Sequence, residues 1–208
     1  VNLTSTREGA SYWGVLPLFR SRLPRRRLWL VACALGLGVS ACSGSENAAG
    51  NNVKFVQVKP GYSEITAAKR DPAPGLKGTT LTDTQLALSS LKGKVVVVNF
   101  WGSWCAPCRA ESSSLEAVAK STAAKGVTFV GVVERDNKSA ARAFVKGHDV
   151  TYPSIFDDDG QLAADWPAAA GPPYTFIIDR QGRIAARFLG GVTTDELQSA
   201  VTKVTAEA

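Results

Sequence analysis

The chain has 208 residues, 45% of them hydrophobic, with 24 Lys and Arg against 18 Asp and Glu, 19 Gly, 10 Pro, four Cys, one His and no Met. That length and composition suit one domain of roughly 150 residues with extensions and exclude both a disordered chain and a cysteine-stapled miniprotein. The net charge of +6 is no nucleic-acid footprint, because residues 1–41 hold six arginines and one acid and leave the rest of the chain nearly neutral.

The first feature along the chain is a basic run, Arg20 to Arg27, followed by the apolar stretch Leu28 to Val39. Twelve residues are too few to span about 30 Å of hydrocarbon as a helix but suit the apolar region of an export signal; a buried core helix is the alternative. The stretch closes on Val39-Ser40-Ala41-Cys42. This resembles a bacterial lipoprotein signal, in which small residues admit the peptidase and the next cysteine receives lipid. The expectation is therefore a signal peptide over 1–41 and a lipidated, flexible tether over 42–71, with membrane contact through Cys42. Without a Met, Val1 reads as a non-AUG start or a processed beginning. Cys33 then leaves with the signal and Cys42 is consumed by lipid, so Cys105 and Cys108 are the remaining thiols, either a disulfide or a redox couple.

Residues 43–75 are rich in Gly, Ser, Asn, Lys and Pro, with one short alternating run that predicts an edge strand around Phe55. Thr79 to Leu81 and Gln85 to Leu88 flank Thr82-Asp83-Thr84 as a hairpin. Val95 to Phe100, apolar except for Asn99, reads as a central strand buried on both faces. A helix follows Pro107 to about Ala124, although Ser112-Ser113-Ser114 are poor interior helix formers. Val127 to Val133 is the next strand and Lys138 to Lys146 the next helix. Tyr174 to Ile178 and Arg183 to Leu189 form a second hairpin, and Thr194 to Val204 a closing helix. Such an order implies an α/β fold, a mixed sheet covered by helices on both faces.

The chemistry concentrates in Trp104-Cys105-Ala106-Pro107-Cys108, where the central strand gives way to a helix. Unpaired N–H groups of a first helical turn favour a thiolate on the more N-terminal sulfur, which makes Cys105 the nucleophile and Cys108 the resolving thiol. Pro107 lacks an N–H that a first-turn residue does not need, and Trp104 offers an apolar docking edge. Zinc uses the same cysteine spacing, but no second pair exists and His148 is the single histidine. A haem attachment would need histidine where Arg109 stands, and a purely structural disulfide over so short a loop adds little entropic stabilisation.

The run from Val96 to Glu111, with Gly93-Lys94 before it and Gly171-Pro172-Pro173-Tyr174-Thr175-Phe176 later, resembles the membrane-tethered, extracytoplasmic thioredoxin-like proteins of the TlpA/ResA type. The resemblance covers about Pro72 to Val204. It implies a thioredoxin-like domain over 72–208 with an N-terminal β-hairpin extension. It also implies a cis Pro173 facing the cysteines, with Pro172, Trp104, Ala106 and Pro107 around the docking site, and Glu111 handling the proton of Cys108. A solvent-facing helix-start role is the alternative for Glu111. Glu134, at the end of the next strand, is a second proton-handling candidate against a surface role. Asn99 stands where cytoplasmic thioredoxins carry a buried aspartate, so no proton passes through it. Ser113 replaces a proline common in relatives, and Pro172 removes one backbone N–H from the substrate-facing loop.

The implied function is protein thiol–disulfide exchange on the outer face of the bacterial cytoplasmic membrane, reducing exported proteins such as an apocytochrome. It needs a membrane electron carrier as partner and no cofactor, metal or nucleic acid, and the chain is expected to be a monomer. The alternatives are a disulfide-donating oxidase using the same pair, a peroxidase, and a non-catalytic module binding a peptide or copper. Gly102 stands where peroxiredoxins place a Thr or Ser, and no Met or further His supports copper. His148 reads as peripheral, and Asp157-Asp158-Asp159-Gly160 as an exposed turn, without the later acids of a calcium loop.

Overall fold

The computed structural model describes residues 55–168 and 171–207. The expected signal peptide, Cys33 and Cys42 lie outside the described residues. Nine strands and four α-helices follow in chain order: β1 (Val56–Lys59), β2 (Tyr62–Glu64), β3 (Lys77–Thr79), β4 (Gln85–Ala87), β5 (Val95–Trp101), α1 (Ala106–Thr122), β6 (Val127–Glu134), α2 (Lys138–Gly147), β7 (Ser154–Asp157), α3 (Gln161–Ala164), β8 (Tyr174–Ile178), β9 (Ile184–Leu189) and α4 (Thr194–Ala206).

The main sheet runs β1-β2-β9-β8-β5-β6-β7, and β3 and β4 pair as a separate hairpin. Strands β5, β6 and β7 are parallel, whereas β8 joins β5 antiparallel and leads outward through β9 and β2 to β1. As its apolar run implies, β5 is buried at all seven positions. Alternate residues of the sheet feed two cores. Val95, Val97 and Phe129 pack with Leu115 and Val118 of α1 and Leu197 and Val201 of α4. On the other face Val96, Val98, Phe100 and Phe176 meet Trp166, Ala163 of α3 and Leu86 of the small hairpin.

The segment read as a tether contributes structure. Residues 56–64 form an antiparallel hairpin, β1–β2, that extends the main sheet. Tyr62 stacks on Phe188 with ring centroids 4.4 Å apart, and Ile65 is fully buried. The turn needs Gly61, at φ +77, where a Cβ would lie 2.9 Å from the Leu189 carbonyl oxygen. Residues 56–64, upstream of the expected boundary at 72, are thus part of the main sheet. Strand β7 ends on Asp157, the first residue of the expected Asp157–Gly160 turn, and α3 starts directly after it; the sequence reading named neither element.

The serine run does not interrupt α1, because Ser112 Oγ folds back to the Arg109 carbonyl at 2.9 Å and Thr122 Oγ1 to that of Val118 at 2.7 Å. These two buried hydroxyls are satisfied inside the helix.

Candidate active site

Helix α1 begins at the C-terminal edge of β5, and its N-cap is Cys105. The Cys105 and Cys108 sulfurs are bonded at 2.00 Å with Cα atoms 5.3 Å apart. The Cys108 N–H points at Cys105 Sγ at 3.2 Å, so the N-terminal sulfur takes the place of a capping oxygen and receives the positive end of the helix dipole. Both cysteines are buried, while Ala106 and Pro107 are exposed and Trp104, 54% exposed, stands out among them. The Trp104 indole lies over Gly102, where a Cβ would come within 2.6 Å of Nε1.

The Pro172–Pro173 peptide is cis. The Pro172 carbonyl oxygen is 3.5 Å from Cys105 Sγ; in the disulfide this is a packing contact, and in the dithiol the S–H can donate across it. Pro173 is buried and its carbonyl accepts from Gly190 N–H at 2.9 Å, which ties the loop to the end of β9.

Glu111 lies one turn beyond Cys108 on the buried side of α1, only 3% exposed. One carboxylate oxygen accepts from Asn99 Nδ2 at 3.0 Å and the other from Val192 N–H at 3.0 Å. Asn99 Nδ2 also donates to Thr175 Oγ1 at 3.0 Å. Burial pushes the Glu111 carboxyl up to about 7, against the lowering effect of these two hydrogen bonds. The solvent-facing alternative is thereby excluded, and Asn99 acts as the donor that holds the acid under the helix.

Glu134 is also buried, not on the surface, and accepts a hydrogen bond from the Tyr174 hydroxyl. Burial raises its carboxyl, and the nearby Asp157 adds to the rise. His148 caps the end of α2, packs at a tilt against Phe144 and meets Ser112 Oγ through Nδ1 at 3.2 Å. Asp157 is buried and accepts from the N–H groups of Leu162 and Ala163 at 3.2 and 2.9 Å, which makes it the anchor of α3. Among the described residues no cluster of His, Cys, Asp and Glu fits a metal ion, and no helix is long and apolar enough to cross a membrane.

The redoxin family model matches residues 65–204. The chain belongs to this family. It is 31% identical over 134 residues to a thiol-disulfide oxidoreductase ResA of Bacillus cereus, an alignment spanning 64% of this chain and 76% of the relative. Among solved structures it resembles a DsbF homologue from Corynebacterium diphtheriae, with 36% identity, a TM-score of 0.65 and coverage of 69% of this chain and 92% of that one. A secreted thiol-disulfide isomerase from Corynebacterium glutamicum aligns with 34% identity, a TM-score of 0.66 and coverage of 70% and 92%. With its bonded cysteine pair at the start of α1, this redoxin is a thioredoxin-fold, ResA-like thiol–disulfide oxidoreductase.

Two contacts at the site escaped the sequence reading. Asp136 accepts from the Ser103 N–H at 2.5 Å and from its hydroxyl at 2.9 Å, and Tyr174 reaches Glu134 across β5. Their partners lie 33 and 40 residues away, so only the sheet order could have joined them.

Proposed function

We propose that the protein reduces disulfides in exported proteins from the outer face of the bacterial cytoplasmic membrane, held there by lipid on Cys42. The observation that carries exchange at this pair is the N-cap position of Cys105, whose sulfur accepts the Cys108 N–H and faces the Pro172 carbonyl; the reducing direction follows the TlpA/ResA resemblance of the sequence. In the dithiol form, Cys105 thiolate attacks one sulfur of a substrate disulfide and expels the other as a thiolate. Cys108, as a thiolate, then attacks Cys105 Sγ in the mixed disulfide. The second substrate thiolate leaves, the 105–108 disulfide closes, and two electrons have passed to the substrate.

Glu111 supports the second step. A carboxyl near 7 can take the Cys108 proton at neutral pH and release it afterwards. Trp104, Ala106, Pro107 and Pro172 form the docking rim, with buried Pro173 fixing the loop behind it. Pro172 has no N–H, so an extended substrate can use only its carbonyl. A membrane thiol–disulfide carrier restores the dithiol, and an apocytochrome with paired cysteines fits the substrate class. The protein acts as a monomer with no cofactor.

Peroxide chemistry is disfavoured locally, because the hydroxyl side chain it needs at 102 would displace Trp104. The test is insulin reduction by the reduced protein, with Cys105→Ser and Cys108→Ser beside it. Turnover lost in both variants, with a mixed disulfide trapped through Cys105 in Cys108→Ser, is expected. Turnover surviving in Cys105→Ser would overturn the assignment.

A further inference from the structure

Glu134, the last residue of β6, and Asp136 just beyond it each touch one half of the site. Glu134 accepts from the hydroxyl of Tyr174, the residue that follows Pro173. Asp136 accepts from the N–H and hydroxyl of Ser103, two residues before Cys105, and from Asn137 N–H at 2.7 Å. Between them Arg135 has φ +46, a left-handed conformation that a non-glycine residue keeps only where its surroundings enforce it. Its N–H still donates to the Asp157 carbonyl at 2.9 Å, so the break is pinned to β7 and is not a fraying end.

In a continuous strand the side chains at 134 and 136 would share a face. The left-handed residue separates them: Glu134 stays beside Tyr174, whose ring stacks on Phe100 at 4.5 Å, and Asp136 reaches the Ser103 turn. That turn is closed by Cys105 N–H on the Gly102 carbonyl at 3.1 Å and is held from its other side by Arg109 Nη1 on the Ser103 carbonyl. Neither acid has a part in the exchange chemistry above.

We infer that Glu134-Arg135-Asp136 is a bracket fixing the separation between the Cys105 turn and the Pro172–Pro173 loop, so that Glu134 and Asp136 are positioning residues for protein disulfides. The inference rests on Cys105 being the attacking sulfur. A protein substrate must fit against both walls at once, whereas a small disulfide needs only the sulfur. Misplacing one wall therefore costs docking on the large substrate and little on the small one.

The test compares Glu134→Leu, Glu134→Gln, Tyr174→Phe and Asp136→Ala, measuring kcat and KM on insulin and on 5,5′-dithiobis(2-nitrobenzoate), corrected for folded fraction by circular dichroism. Glu134→Leu, Tyr174→Phe and Asp136→Ala are expected to raise KM on insulin about tenfold and to stay within about twofold of the parent on the small disulfide. Glu134→Gln keeps an oxygen that accepts from Tyr174 and should match the parent. Tyr174→Phe keeps the ring stack and carries the test if Glu134→Leu does not fold. Equal losses in Glu134→Gln and Glu134→Leu would make Glu134 a proton carrier and overturn the bracket. Parent-like insulin kinetics in all variants would reduce these contacts to fold stability and overturn it too. Insulin turnover that survives Cys105→Ser would instead remove the assignment of Cys105, and the bracket with it.

Discussion

Asp179 and Glu111 are both withdrawn from water, 5% and 3% exposed, at opposite ends of the paired strands β5 and β8. Asp179 is surrounded by compensation: Arg70 Nη1 at 3.3 Å, Arg183 Nε at 2.9 Å, and the N–H groups of Gln181 and Arg183 at 3.0 and 2.9 Å. Glu111 has one amide and one N–H, and no ion-pair partner among the described residues. A buried charge with cations around it is a joint of the structure, while one without them keeps its desolvation penalty and is poised to gain and lose a proton. The end of the sheet that carries the cysteines is the end that leaves its acid unpaired.

The sharpest way to break this contrast is Asp179→Ala, which leaves Arg70 without one of its two carboxylates and two N–H groups without an acceptor. Removing one partner of such a buried network costs about 3–5 kcal/mol, read as a fall in urea midpoint, with disulfide exchange per folded molecule unchanged. The wild-type pH dependence of stability comes next. The folded Glu111 carboxyl, raised from 4.5 to about 7, holds a proton that the unfolded chain has released. Its contribution is full below pH 4.5 and is lost as pH rises through 7, on the order of 3 kcal/mol in all. Denaturant unfolding between pH 4 and 8 checks the slope, and Glu111→Gln should flatten it.

The same Glu111→Gln variant is expected to slow the Cys108 step about 100-fold at neutral pH, measured by the decay of the mixed disulfide in stopped flow. The smallest effect is expected far from both acids. Val56 and Val58 on edge strand β1 are 61% and 57% exposed, and Val58→Ser should change stability by less than about 0.5 kcal/mol.

What the sequence revealed follows the range of its signals. The β5 run and the Cys105 to Cys108 spacing are local patterns that appear where they implied, whereas the cis Pro173 was implied by the family resemblance and not by any local pattern. Strand β1 was harder to read, because its four residues are all exposed and its apolar valines face no core. Strand β7 is short, and Asp157 looks like a turn acid until its two N–H partners on α3 are seen. Glu111 was legible as a position relative to Cys108, but its burial depends on Asn99 and Val192 from two other elements. The Glu134 and Asp136 contacts depend on a left-handed residue that no side-chain pattern announces.

The most direct test of the central proposal, that this thiol–disulfide oxidoreductase works as a reductant, is the equilibrium reduction potential of the 105–108 couple in dithiothreitol or glutathione buffers. A potential of roughly −270 mV or lower is the expected result, and one near −120 mV, typical of a disulfide donor, would contradict it.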